Sequence, residues 1–196
     1  VLTSAMRPAT ALSPDGPQNL LDAVAVALEP DARGVLAVAA GTVHEARWVH
    51  KAFPYRVDAF SSGEAGPCGW VEEGQVRWVR RPSTQANSIH TALLNDLPAA
   101  QGWPWVEVVL SAAGASCRAV DALVDAQVKG LVVASTGNGS LHHALKDALL
   151  RASERGVRVV KATRCGQGQS LVGDLGDFPS YAGLSPIKAR VALLLD

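Results

Sequence analysis

The sequence predicts an α/β protein in which helices flank parallel β-sheets, and three observations carry this prediction. From Val106 onward, short apolar runs alternate with segments whose apolar residues recur at helical spacing. Residues 34–40 (GVLAVAA) form an unbroken apolar run, which is typical of a parallel strand buried on both faces. Residues 70–79 alternate in character about Glu73 and Gly74, which indicates a β-hairpin.

The first part of the chain predicts a strand, a loop and a helix. An apolar stretch at residues 1–5 precedes a loop at 6–16 that is rich in Pro, Thr and Ser. The helix begins near Asp15, which can cap it, with Pro17 in its first turn. Because residues 20–28 are apolar almost all round, we expect this helix to be buried.

The last part predicts a βαβαβα unit. The expected strands are residues 106–110, 130–134 and 157–162, and the expected helices are 119–126, 141–152 and 186–195. Ser185 and Pro186 suit the cap and first turn of the final helix. This order implies a small parallel sheet with helices on both faces.

The chain divides into two predicted domains, residues 1–79 and 106–196. The stretch between them, residues 80–105, carries Pro82, Pro98 and Pro104 and has no sustained hydrophobic period. It is therefore interpreted as a linker, with a short helical turn near residues 93–97.

The composition excludes several classes of function. Lys and Arg number 18, as do Asp and Glu, so the net charge of zero predicts no binding of nucleic acid or an anionic membrane. No apolar run reaches the ~18 residues of a membrane span. The three cysteines are far apart, and the histidines lack metal-ligand spacing, so we expect neither disulfides nor a metal site. His142 and His143 are expected to point to different helix faces.

Ligands of open parallel sheets bind beyond the carboxyl ends of the strands, which here points to loops 111–116, 135–140 and 163–170. The middle loop (STGNGS) has two glycines and leads toward a helix, whose N-terminus favours an anion. It lacks a dinucleotide or phosphate-loop pattern. A structural turn capped by Ser140 is the alternative. Lys51 is either a solvated surface lysine or a proton relay in nucleophilic catalysis.

Several segments, in order along nearly the whole chain, resemble the bacterial L-asparaginase family. AMRPAT at 5–10 and SPDGPQNL at 13–20 are similar to its AMRP and SADGPxNL signatures. Weaker similarities are RGVL at 33–36, GPCGW at 66–70, LNDLP at 94–98, GNGSL at 137–141 and LSPIKAR at 184–190.

The resemblance implies hydrolysis of L-asparagine, with L-glutamine as a weaker substrate, by a threonine nucleophile through an acyl-enzyme and without a metal or organic cofactor. It also implies a homotetramer, a dimer of dimers, whose subunits have a larger flavodoxin-like N-terminal domain. Transferred onto this sequence, Lys51 is the catalytic lysine. The backbone carbonyl of Ala5 meets the substrate amide, and Ser140 reaches the neighbouring subunit's substrate.

Two motifs of the family have no counterpart among these residues: the TGGTI loop with the nucleophile, and the HGTDT segment. We therefore expect that an N-terminal catalytic stretch is missing and that the 196 residues alone do not hydrolyse asparagine. The family's neighbour-contributed glutamate also has no clear match, since the loop after Arg164 offers only Asp174 and Asp177.

Two alternatives stay open. One is an inactive fragment or scaffold that keeps only the oligomer contacts, and the other is a related glutaminase or amidotransferase subunit. The cysteine content is compatible with the cytoplasm, which we favour over the periplasm.

Overall fold

The computed structural model describes residues 1–83, 102–171, 177–181 and 183–196. The chain forms two compact units that divide between residues 87 and 88. The predicted helical turn near residues 93–97 lies outside the described residues, and the predicted domain limits stay a prediction.

The first unit contains one α-helix, seven strands and a short 3₁₀ helix at Gly63–Ala65 among its described residues. In chain order they are β1 (Leu2–Thr3), α1 (Gly16–Leu28), β2 (Leu36–Ala39), β3 (Thr42–Glu45), β4 (His50–Lys51), β5 (Phe60–Ser61), β6 (Gly69–Glu72) and β7 (Gln75–Trp78). Five strands form a mixed sheet in the order β1-β2-β3-β6-β7, while β4 and β5 form a separate two-stranded ribbon.

The predicted hairpin is confirmed. The buried strand predicted at residues 34–40 is also present, but it is parallel to only one of its two neighbours. Strands β6 and β7 pair antiparallel about Glu73 and Gly74, which both have positive φ (51° and 73°) as a tight hairpin turn requires. Strand β2 is buried and runs parallel to β1, but it pairs antiparallel with β3 on its other side.

The helix predicted after Asp15 is present, but the expectation that it is buried is wrong. Its buried face consists of Asn19, Asp22, Ala23 and Val26. Its opposite face exposes four large apolar residues, Leu20, Leu21, Val24 and Leu28. The apolar residues run all round the helix, and the sheet of this unit covers only one side of it.

The second unit confirms the predicted βαβαβα order. Its elements are β8 (Val106–Leu110), α2 (Arg118–Asp125), β9 (Gly130–Ser135), α3 (His143–Glu154), β10 (Arg158–Thr163) and α4 (Pro186–Leu195). The three strands are all parallel, in the order β10-β9-β8. Ser185 caps α4 as predicted, because its hydroxyl accepts the Lys188 N–H.

Two apolar layers cover the two faces of this parallel sheet. Leu131 and Val133 pack with α2 and α3, while Val132 and Val160 pack with α4. Successive residues of a strand point to opposite faces, which explains why every residue of β9 is buried. The predicted α/β class is therefore confirmed. No helix in the described ranges combines the length and apolarity needed to cross a membrane.

Candidate active site

The turn that carries Ala5 follows β1 and is held by the buried side chain of Asn19. The Asn19 amide nitrogen donates to the carbonyl of Ser4 (2.8 Å), and its amide oxygen accepts the N–H of Ala40 (2.9 Å). One side chain of α1 thus links the carboxyl ends of β1 and β2. Because Asn19 is only 2% exposed, its hydrogen bonds are shielded from water and fix the start of the Ala5 turn.

Asp15 is the N-cap residue of α1 as predicted, but its side chain holds the same turn from the other side and does not cap the helix. Its carboxylate accepts the backbone N–H groups of Met6 (3.0 Å) and Arg7 (2.8 Å), and its side chain makes no cap hydrogen bond. These two N–H groups hold the pKa of Asp15 below its usual value. A Cβ on Gly16 would lie 3.3 Å from the Cβ of Ala5, so the turn packs closely against the helix start.

Replacing Asp15 with alanine is expected to lower the unfolding free energy by about 1 to 2 kcal/mol, because the N–H groups of Met6 and Arg7 lose their acceptor. Urea unfolding checks this value. Asp15→Asn keeps one acceptor oxygen and should lose less. Equal stability of the alanine variant and the unmodified chain would contradict the prediction.

Lys51 lies at the end of strand β4, and its side chain is exposed. In the ribbon, Lys51 stands opposite Phe60, and His50 stands opposite Ser61. The pairing continues past β4, since the N–H of Ala52 donates to the carbonyl of Ala59 (2.8 Å). The position of Lys51 therefore depends on where the ribbon is anchored.

A buried histidine anchors the ribbon to the five-stranded sheet. His44 on β3 places its Nδ1 atom 2.7 Å from the hydroxyl of Ser62, and both side chains are buried. Ser62 directly follows β5, so this contact lies two residues from Phe60, the partner of Lys51. Burial lowers the pKa of His44, and the nearby His50 lowers it further.

Acidification is expected to weaken the first unit through His44. Because its folded pKa is lowered, the unfolded chain binds the proton more tightly. The contribution of neutral His44 to the unfolding free energy is present above its unfolded pKa of about 6.5. It is lost as the pH falls through the lowered folded pKa. Urea unfolding from pH 7.5 to 5 measures this loss. His44→Gln should show a flatter dependence, and an identical slope in both proteins would contradict the assignment.

Ser140 is exposed and closes a tight loop after β9. The N–H of Ser140 donates to the carbonyl of Thr136 (2.9 Å), and the hydroxyl of Thr136 donates to the carbonyl of Ser140 (3.1 Å). Gly137 and Gly139 have positive φ (51° and 110°), which explains the glycines at these positions. Helix α3 begins three residues later, at His143, so Ser140 does not cap it.

The remaining candidates are the histidine pair before α3 and the two acidic residues of the loop after Arg164. The rings of His142 and His143 stack with centroids 4.3 Å apart, because His142 precedes α3 and is not on a helix face. Asp177 forms an ion pair with Lys146 (2.6 Å), while Asp174 lies outside the described residues. Within the described ranges, no three or more His, Cys, Asp or Glu side chains group as metal ligands.

Ala5 and Lys51 belong to the first unit and Ser140 to the second. The residues that hold the first two in place, His44, Ser62 and the buried Asn19, were not predicted from the sequence. Asn19 belongs to the motif at residues 13–20, and this was the one feature of the sequence that could have indicated its role. Nothing in the local pattern pointed to the contact between His44 and Ser62, which are 18 residues apart.

Comparison with known proteins places both units in one family. The asparaginase N-terminal family model matches residues 1–84, and the glutaminase/asparaginase C-terminal domain model matches residues 105–195. L-asparaginase 2 of Escherichia coli (strain K12) is 36% identical, over all of this chain and 57% of its own. Glutaminase-asparaginase of Pseudomonas fluorescens biotype A is 33% identical, over all of this chain and 55% of its own.

A solved structure agrees with this assignment. The probable cytoplasmic L-asparaginase from Campylobacter jejuni superposes with a TM-score of 0.85 at 33% identity, covering 98% of this chain and 64% of that one. The chain spans somewhat more than half the length of the curated relatives it matches. The two matched domains, the ordered motifs and the shared fold show that the chain belongs to the asparaginase/glutaminase family.

Proposed function

We propose that these residues form part of an amidohydrolase that converts L-asparagine to L-aspartate and ammonia. The observation that carries the proposal is that buried or backbone contacts within the first unit fix two positions that the resemblance marks, Ala5 and Lys51. The Ala5 turn is fixed by Asn19 and Asp15, and the Lys51 ribbon is fixed by His44 and Ser62. The names of the relatives, L-asparaginase and glutaminase-asparaginase, support the same chemistry.

In the proposed reaction, a threonine outside these residues attacks the side-chain amide carbon, and ammonia leaves as an acyl-enzyme forms. Water then releases aspartate. The amine of Lys51 relays the proton that the threonine hydroxyl loses, as a positioned general base can. The backbone carbonyl of Ala5 accepts a hydrogen bond from the substrate amide. The hydroxyl of Ser140 contacts the substrate held by a neighbouring subunit.

The proposal has two finer parts, which the resemblance to the family supports. L-glutamine is the weaker substrate, and the assembly is a homotetramer arranged as a dimer of dimers. The exposed apolar face of α1 supports the existence of a further contact surface, because apolar patches of this kind commonly mark protein interfaces.

An inactive fragment or scaffold that keeps only the oligomer contacts is the second candidate. In that case the chain would keep the folded units and the oligomer contacts and would release no ammonia.

Ammonia release from L-asparagine and from L-glutamine tests the proposal on the intact protein that carries these residues, after its mass has been measured. The proposal expects faster release from asparagine. Release from glutamine alone would favour a glutaminase, and release from neither substrate would overturn the proposed activity in favour of the scaffold.

A further inference from the structure

Lys161 lies beneath the loop that presents Ser140, and its side chain is buried, with 7% exposure. It stands opposite Val133 in the pairing of β10 with β9. Alternation along β10 places its side chain on the same face as Val159, which belongs to the apolar layer under α2 and α3. Lysine is rare in such a position, since burying an ammonium group costs several kcal/mol unless other interactions compensate.

The Lys161 side chain lies directly against Gly139. A Cβ on Gly139 would be 2.7 Å from the Lys161 Nζ atom and 3.0 Å from its Cε atom. The positive φ of 110° favours glycine at position 139, and the end of the Lys161 side chain fills the space beside it. The N–H of Gly139 and the N–H of Ser140 both donate to the carbonyl of Thr136. The lysine thus supports the hydrogen-bonded end of the loop.

Two residues after Lys161 in the chain, one at the end of β10 and one in the following loop, also hydrogen-bond to the loop that carries Ser140. The hydroxyl of Thr163 donates to the carbonyl of Gly137 (2.7 Å), and the N–H of Leu171 donates to the side-chain oxygen of Asn138 (2.8 Å). These contacts fix the first half of the loop. Lys161 is placed under the second half, which carries Ser140.

Lys161 also contacts the segment at residues 177–181, which begins with Asp177. Its backbone N–H donates to the carbonyl of Pro179 (2.8 Å). The pKa of Asp177 is lowered chiefly by its hydrogen bond to Lys146, and the positive charge of Lys161 adds to that effect. Lys161 therefore acts on two segments at the carboxyl edge of the sheet, the loop that carries Ser140 and residues 177–181.

We propose that Lys161 is a positioning residue that fixes Gly139 and Ser140 in the conformation that presents the Ser140 hydroxyl to substrate. The proposal rests on the proposed role of Ser140 in substrate contact. Lys161 itself touches no substrate in this account and acts only through the loop.

Amide hydrogen exchange of the full chain tests the positioning role. Lys161→Met keeps the apolar stem and removes the charge, and it should speed exchange at Gly139 and Ser140 by about tenfold. The amides of Val132 and Val133 in β9 should stay unchanged, and Lys161→Arg should restore protection of the loop. Unchanged exchange at the loop, or equal loss of protection in loop and sheet, would overturn the proposal.

A double-mutant cycle isolates the contact with Gly139. Gly139→Ala should lower the thermal midpoint, and Lys161→Ala should recover part of that loss, because the clash disappears while the φ strain persists. Gly137→Ala is the matched control, since a Cβ there meets nothing within 4 Å. Additive effects at Gly139, like those expected at Gly137, would overturn the contact.

The role of Ser140 is tested separately by KM and kcat for asparagine in Ser140→Ala. A raised KM is expected for Ser140→Ala and for Lys161→Met. Unchanged kinetics in Ser140→Ala would contradict the proposed function of Ser140, whereas unchanged loop exchange in Lys161→Met contradicts the positioning role alone.

Discussion

Replacing Lys51 with methionine is expected to lower kcat for asparagine hydrolysis by about 100- to 10,000-fold in the proposed amidohydrolase. Methionine keeps much of the length of the side chain but cannot accept or pass on a proton. KM should change little, because Lys51 is proposed to act on the nucleophile and not to bind the substrate. Steady-state ammonia release gives both constants.

The matched control is Lys129→Met, which removes another exposed lysine in the turn before β9. Its kcat should stay within twofold of the unmodified enzyme. Lys51→Arg should not restore activity, because a guanidinium group does not give up its proton at neutral pH. A kcat within twofold of the unmodified enzyme in Lys51→Met would contradict the assignment of Lys51 as the catalytic lysine.

Replacing Gly69 with alanine is expected to destabilise the first unit by about 3 kcal/mol or more, because the added methyl group cannot fit beside the neighbouring strand. A Cβ on Gly69 would meet the backbone carbonyl oxygen of Arg77, and it would lie 3.1 Å from the Cα of Trp78. Backbone atoms cannot rotate away as a flexible side chain can. Strands β6 and β7 would therefore have to separate.

The effect reaches beyond the hairpin, because the neighbouring Cys68 ties three segments together. The N–H of Cys68 donates to the carbonyl of Val43 (2.8 Å), and its own carbonyl accepts the N–H of Val79 (2.8 Å). Cys68 is fully buried in the core of the first unit. A shift of β6 would thus disturb β3, which carries His44.

Urea unfolding measures the change at Gly69, with Gln75→Ala on the exposed part of β7 as the control. The control should change the unfolding free energy by no more than about 0.5 kcal/mol. An unfolding midpoint for Gly69→Ala equal to that of the control would contradict the packing described for β6 and β7.

The second unit was predicted well because its sequence signals are strong and consistent. Strand β8 and helix α4 begin and end at the predicted residues, and the other elements shift by one or two residues. Every residue of β9 is buried, and its residues 130–134 form an unbroken apolar run that is typical of such a strand.

The first unit was predicted less well, and the reasons are physical. Strands β3, β4 and β5 are two to four residues long, and β3 buries the polar side chains of His44 and Glu45. Such strands show no hydrophobic period. The burial of α1 was predicted wrongly because periodicity reports which residues are apolar and not which side of a helix a sheet covers.

The candidate site was found through motifs, whereas its supporting contacts came only from the structure. Ala5, Lys51 and Ser140 stand at positions that the resemblance marks. The Ala5 turn and the Lys51 ribbon are held by contacts such as Asn19 with the carbonyl of Ser4 and His44 with Ser62, which join residues 15 and 18 positions apart. Local sequence patterns do not encode such partners, so their identity could not be predicted.

The most direct test of the account is ammonia release from L-asparagine by these 196 residues alone and by the same residues fused to an N-terminal segment with the TGGTI and HGTDT motifs. Intact mass and circular dichroism should first establish that both proteins are complete and folded. The account predicts release by the fusion, no release by the 196 residues alone, and loss of release in the fusion with Lys51→Met. Turnover by the 196 residues alone, or full activity of the Lys51→Met fusion, would contradict it.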